Sequence, residues 1–351
     1  MISFGDWEMP RDYSTGTASE VKSCRTGSGL FDVSHMGEFR VCGSEALDLV
    51  QQLTTNDASR LTPGKAQYSL LLNEEGGVKD DVIVYCDSVD DFLIVVNAGC
   101  KDKDWDWFNL HAKAFRVRLT DESSATSLVA IQGPDAVSIV ESMADASVKS
   151  LKRFHFSTTM VAGVPCTVSR TGYTGEDGFE LFCCWEDALT IWYRLIEKGA
   201  VPCGLAARDV LRQEAAYPLY GHELNEHESP LGLGLGWAIK SSKVDFIGRD
   251  DLVKRSQDGL RERLVGLIPT IPNAIPREGH LVFADGRDEP IGRVTSGTLS
   301  PTIGSGIALA RIGAGFAEPG LELSIAIRGR VVTAIVRDLP FYRGLDEASK
   351  K

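Results

Sequence analysis

At 351 residues, with 43% hydrophobic and 25% charged side chains, the chain has an ordinary globular composition and apolar material for two or three full-sized cores. A net charge of −12 sets its field against phosphate backbones and anionic lipid, so neither a nucleic-acid nor a membrane-surface role is expected. No apolar run is long enough to cross a bilayer, and Met1 to Trp7 lacks the basic-then-apolar order of a secretory signal.

Asp6 to Tyr13 is turn-rich, and Glu20 to Gly29 reads as a helix closed by Gly27 or Gly29. Leu30 to Val41 alternates and reads as one strand; Ser44 is placed to cap a helix over Glu45 to Leu53. A hairpin follows. Tyr68 to Leu72 leads in, Asn73-Glu74-Glu75-Gly76-Gly77 turns, and Val82 to Tyr85 leads out. Asp80 and Asp81 open the second strand, where successive side chains point to opposite faces. One of the pair is therefore expected to face inward, and Asp81 is the candidate. On this stretch alone, two solvated charges at a strand end are the ordinary alternative.

Phe92 to Val96 reads as a strand ending at Asn97, and Asp102 as the cap of a helix through Phe108. Phe115 to Leu119 and Leu128 to Ile131 read as strands, Gly133-Pro134-Asp135 as the start of a helix to about Met143, and Met160 to Ser169 as a strand pair around Gly163. Phe179 to Phe182 is a strand; Glu186 to Lys198 and Gly204 to Glu214 are helices. Hairpins alternating with helices predict an α+β fold with antiparallel sheets. Leu231-Gly232-Leu233-Gly234-Leu235-Gly236-Trp237 looks superficially like a nucleotide loop, but it alternates and no helix follows, so it reads as a strand. From about Leu264, glycine and proline punctuate short strands as in a small barrel or sandwich, and the charged stretch Lys240 to Glu262 marks the boundary before it.

The eight cysteines form no Cys-x-x-Cys pair and the histidines are scattered, so no metal is expected; adjacent Cys183 and Cys184 read as small buried hydrophobes. Absence of an export signal fits a reducing compartment. Glu180 sits among large apolar residues, where a buried carboxylate requires a partner; a planar heterocycle offering adjacent N–H and NH₂ donors would satisfy it, and a solvent-facing strand residue is the alternative. Arg208 and Arg212 lie one turn apart on one helix face, suited either to pairing with Asp209 and Glu214 or to reaching a ligand carboxylate or carbonyl.

Taken in order, these stretches resemble the aminomethyltransferase (T-protein) family of the glycine cleavage system. The resemblance runs from Phe4-Gly5-Asp6-Trp7-Glu8-Met9-Pro10 to Leu339-Pro340-Phe341-Tyr342-Arg343. It rests on Leu30 to Gly37, Leu53-Thr54-Thr55-Asn56-Asp57, Leu72 to Asp81, Gly172 to Gly178, Gly204 to Asp209, Pro218 to Leu224 and Thr295-Ser296-Gly297. One departure is Glu20-Val21, where the family commonly has Glu-His; another is the absence of the short leader usual before Phe4.

The resemblance implies a three-domain cloverleaf around a central tetrahydrofolate channel: residues 1–36 with 125–240 forming a discontinuous folate-binding domain, 37–124 a second α+β domain carrying the hairpin, and 250–351 the C-terminal β-barrel. It implies aminomethyl transfer from the lipoyl arm of the carrier H-protein, yielding ammonia and 5,10-methylenetetrahydrofolate, in the cytoplasm, or in the mitochondrial matrix if a presequence has been removed. Asp81 matches the catalytic aspartate, ionised at neutral pH on its ordinary pKa of about 3.9. Glu180 would take the pterin N3–H and 2-amino group, and Arg208 a folate carbonyl or carboxylate. Tyr68, Tyr85 and Tyr173 would pack along the folate, with Asn97, Tyr342 and Arg343 as lesser candidates. Two other readings share much of this: another folate-dependent one-carbon transferase or demethylase of the same fold, and a non-enzymatic folate protein of iron–sulfur assembly. The second carries a Lys-Gly-Cys-x-x-Gly-Gln-Glu stretch not found in this sequence.

Overall fold

Three large sheet systems, each with its own core, and a two-stranded ribbon of Ile2–Phe4 and Trp7–Met9 make up a computed structural model that describes residues 1–240, 243 and 245–344. Residues 241, 242 and 244 of the charged boundary, and 345–351 at the end assigned to the barrel, lie outside the described residues.

The first sheet runs in the order Phe156–Val161, Val164–Ser169, Gly178–Cys184, Thr126–Gln132, Gly29–Asp32 and Val201–Pro202. Its pairs are antiparallel except the last, a two-residue strand that runs parallel to Gly29–Asp32. The second, fully antiparallel, is Lys65–Leu72, Val78–Ser88, Asp91–Val96, Gly37–Cys42 and Arg118–Asp121. The third closes into a six-stranded barrel: Glu262–Pro269, Ser305–Gly313, Gly292–Ser300, Leu281–Phe283, Glu322–Ile327 and Arg330–Arg337.

Both flat sheets bury both faces, and the period of two sorts their side chains. In Gly178–Cys184, Phe179, Leu181 and Cys183 fill one core, while Glu180 and Phe182 turn to a second core shared with the other sheet through Ala66, Tyr85, Leu93 and Val95. In Val78–Ser88, Val82, Val84 and Cys86 face a third core, and Tyr85 faces the shared one. The hairpin turn has a local cause. Gly76 has φ +74°, and a Cβ on Gly77 would lie 1.8 Å from the Glu226 carbonyl oxygen, so side chains are excluded there. The Asn73 side chain closes the turn by accepting from Gly77 N at 2.8 Å. Leu71 pairs with Asp80 but Leu72 with Val78, making Lys79 the extra residue of a β-bulge immediately before the aspartates.

Several sequence expectations are corrected. Leu30 to Val41 is two strands in different sheets, because Asp32 accepts from Ser34 N at 3.0 Å and turns the chain. Ser44 and Asp102 do not cap; the helices Ala46–Leu53 and Lys101–Ala112 begin after Glu45 and Cys100. The leucine–glycine alternation forms two 3₁₀ turns, Pro230–Leu233 and Gly236–Ala238, since Pro230 and left-handed Gly234 break a strand while the leucines still pack inward. Cys184 is exposed, unlike Cys183. The charged boundary carries a helix of its own, Arg249–Gln257.

Helix Leu205–Glu214 ties the first sheet system to the barrel. Arg212 is 1% exposed; it pairs with Glu223 at 2.8 Å and donates to Ser296 of the barrel at 2.8 Å. Glu214 accepts from Ser300 at 2.5 Å and Thr302 at 2.9 Å, and pairs with Arg25 at 2.7 Å. Thr295 donates to Glu223 at 2.6 Å.

Glu38 is fully buried in Gly37–Cys42 with no hydrogen-bond partner on either carboxylate oxygen among the described residues. Burial, reinforced by Asp121, pushes its pKa from 4.5 to about 9. The folded state thus holds a proton that the unfolded chain has released, and stability falls as pH rises from about 4.5 to about 9. Glu38→Gln should be more stable than wild type by about 1–3 kcal/mol near pH 8, with the gain vanishing near pH 4. Urea unfolding at the two pH values measures it.

Candidate active site

The bulge leaves Asp81 paired with Leu70, on the sheet face that carries Ala66 into the core shared with the first sheet and packs Leu70 with Leu224, Leu233 and Leu235. Both aspartates are held. Asp80, not Asp81, is the fully buried one; Asp81 stays partly exposed. The expectation that only one would turn inward fails because this sheet is covered on both faces. Asp81 Oδ2 accepts from the Tyr68 hydroxyl at 3.1 Å and Oδ1 from Asn97 Nδ2 at 2.9 Å. Asn97 also gives its backbone N–H and its Nδ2 to Asp80, each at 2.9 Å. One asparagine thus bridges the two carboxylates.

Burial, and then the charge of Asp80, push the Asp81 pKa up to about 7, against the pull of Tyr68 and Asn97. This corrects the expectation of an ordinary, fully ionised carboxylate: a pKa near neutrality suits a group that takes up and releases a proton. Tyr68 is raised well above its usual value by burial and by Asp81, so it remains a donor.

Glu180 lies across the shared core on the first sheet. Its Oε2 accepts a short hydrogen bond from Thr171, whose hydroxyl oxygen is also 3.3 Å from the Tyr85 hydroxyl. Tyr85 is buried between Phe156 and Phe182, so it supports the Glu180 side of the hollow rather than offering a free ring face. Burial raises the Glu180 pKa, while Thr171 and Arg208 draw it down. Arg208 sits 4.8 Å above the Tyr173 ring, and burial lowers its pKa against the opposing pull of Tyr173 and Glu180. Tyr173 donates to the Pro218 carbonyl. Arg212, expected on the same face as Arg208, is instead spent on Asp209 and Glu223.

Tyr68, Asp81, Tyr173, Glu180 and Arg208 are surrounded by protein, yet each keeps some accessible surface. Asp81 acts on Tyr68 and Tyr173, and Glu180 and Tyr173 act on Arg208, so the five border one partly accessible region, the hollow; the Trp237 ring lies 5.3 Å from that of Tyr68, tilted by 32°. Tyr342 lies elsewhere: Arg25 stacks on its ring at 3.9 Å, and its N–H binds the Glu214 carbonyl at 2.8 Å. Thr171 and Trp237 escaped the sequence reading. Thr171 sits next to the singled-out Gly172–Gly178 stretch, whereas Trp237 was hidden by the mistaken strand.

Residues 1–243 match the GCVT N-terminal domain, and residues 262–343 match the glycine cleavage T-protein C-terminal barrel domain. The chain belongs to the glycine cleavage T-protein family. It is 46% identical to an aminomethyltransferase of Geobacillus kaustophilus over 97% of this chain and 94% of that one. It is 43% identical to one from Bacillus subtilis over 97% and 95%. A crystal structure of the glycine cleavage system aminomethyltransferase T from Bartonella henselae superposes with a TM-score of 0.91 at 30% identity, covering 97% of this chain and 94% of that chain. The T-protein chain is therefore an enzyme, an aminomethyltransferase with an α+β fold ending in a closed barrel. None of its described helices is long and apolar enough to cross a membrane.

Proposed function

We propose that the hollow binds tetrahydrofolate as co-substrate against the aminomethyl-loaded lipoyl arm of an H-protein, and that Asp81 is the group facing the carbon in transit. The supporting observation is an unpaired couple: Glu180 and Arg208 influence each other's ionisation, yet among the described residues the Glu180 carboxylate takes only the Thr171 hydrogen bond and the Arg208 guanidinium only the Tyr173 ring. Two charged groups held apart with spare hydrogen-bonding capacity suit a polar heterocycle between them.

In this reading Glu180 receives the pterin N3–H and 2-amino group, and Arg208 meets a folate carbonyl or carboxylate. Tyr68 and Tyr173 border the rings, and Tyr85 with Thr171 fixes the Glu180 side. Asn97 and the Tyr68 hydroxyl aim Asp81, which as carboxylate stabilises the cationic iminium left when ammonia departs. Holding folate and arm together contributes more than any single group, since well-oriented reactants reach effective molarities of about 10⁵ M and above.

The test is ammonia release from aminomethyl-loaded, lipoylated H-protein, with and without tetrahydrofolate. Release accelerated by folate, together with 5,10-methylenetetrahydrofolate formation, is the expected result. A rate indifferent to folate, or turnover of methylated amines without the carrier, would overturn it in favour of another one-carbon transferase.

A further inference from the structure

Behind Asp81 lies a buried acid pair that the reaction as described does not use. Asp104, on helix Lys101–Ala112, is fully buried, and its carboxyl lies within 4.8 Å of a carboxylate oxygen of Asp80 and of the Cys100 sulfur. Neither Asp104 oxygen has a donor among the described residues, whereas Asp80 accepts two hydrogen bonds from Asn97. Two adjacent buried carboxyls cannot both ionise cheaply. The one with donors keeps the charge and the one without keeps the proton.

We propose that Asp104 is a positioning residue that stays protonated and donates to Asp80, so that Asp80 remains an anion, orients the Asn97 amide and sets the proton affinity of Asp81. The chain of contacts is Asp104 O–H to Asp80, Asp80 to Asn97 Nδ2, and Asn97 Nδ2 to Asp81. The Nδ2 has three acceptors within reach, Asp80 Oδ1, Asp81 Oδ1 and the Asp81 carbonyl at 3.1 Å, for two hydrogens, so a charged Asp80 fixes which one each hydrogen takes. Burial pushes Asp104 up to about 10 against the pull of Lys103 and Lys79, and burial also raises Asp80, which hydrogen bonds from Asp104, Asn97 and Cys100 draw back. Lys79 and Lys103 are the cations facing the pair. Lys79 pairs with Glu226 at 3.4 Å, and Lys103 donates to the Lys79 carbonyl and lies 3.8 Å from the Tyr220 ring centroid. Asp80, Tyr68, Asn97 and, from the loop between Val164–Ser169 and Gly178–Cys184, Tyr173 face Asp81.

This inference rests on Asp81 being the group at the reacting carbon, so the test has one arm without turnover. Asp104→Asn keeps a donor toward Asp80; Asp104→Leu removes it and drives the proton onto Asp80. Asp104→Leu should move the acid limb of the pH–rate profile about one unit lower, because Asp81 loses the neighbouring charge that raised it. Asp104→Asn should leave the limb in place, with folate KM within about twofold of wild type in both. Independently, the infrared difference between wild type and Asp104→Asn near pH 7, without substrates, should show the loss of one protonated-carboxyl band. An unmoved limb in Asp104→Leu, an equal shift in both variants, loss of an ionised-carboxylate band instead, or a stoichiometric metal ion bound by wild type but not by Asp104→Asn would overturn the proposal. If Asp104→Leu fails to fold, the infrared result decides alone.

Discussion

Asp81→Asn should lower folate-dependent ammonia release by about 10²–10⁴-fold while leaving tetrahydrofolate affinity within about threefold. The asparagine keeps the size and an acceptor for Tyr68, so the wall of the hollow persists; what it loses is the ability to hold a negative charge or a proton. The pH dependence follows from the raised pKa. If the carboxylate is the working form, wild-type transfer climbs as pH rises through about 7, and that limb is absent from the variant. Stability separates this from misfolding. With Asp80 kept anionic by Asp104, as proposed, ionising Asp81 sets two charges side by side, and the variant removes that repulsion, so its melting temperature at about pH 8 should not fall. Single-turnover measurements with lipoylated carrier decide the matter, and near-wild-type turnover would remove Asp81 from the chemistry.

Glu180→Ala should weaken tetrahydrofolate binding by about 10²–10⁴-fold. Hydrogen bonds to a charged group contribute about 1.5–3 kcal/mol each, two are proposed, and each 1.4 kcal/mol is a factor of ten. Glu180→Gln keeps one acceptor and offers a donor where the pterin needs a second acceptor, so its affinity should fall between the two. Among the described residues the Glu180 carboxylate takes a single bond, from Thr171, so neither variant should lose its fold. Calorimetry showing unchanged affinity in Glu180→Ala would take Glu180 out of the pterin site.

Much of this was legible because β-strands write their facing into the sequence. Phe179-Glu180-Leu181-Phe182 alternates between two cores as its pattern predicts, and the barrel strands fall where glycine and proline punctuate them. The failures share a cause: local pattern was outvoted by distant packing. Asp80 looked expendable because a hairpin face is usually wet, but helix Lys101–Ala112 covers it. Arg208 and Arg212 share a helix face in sequence, yet the barrel's Ser296 claims one and leaves the other bordering the hollow. Asp104 gave no signal at all, since nothing in a helix of mixed charge announces which acid will be buried against another.

Helix Leu205–Glu214 has a consequence for how the molecule would fail. Its one end carries Arg208, the guanidinium proposed to meet folate, and its other is fastened through Arg212 and Glu214 to Ser296, Ser300 and Thr302. The barrel is then less a bystander than an anchor. Heat or truncation that slackened it would release Arg208 and cost ligand grip before either flat sheet came apart.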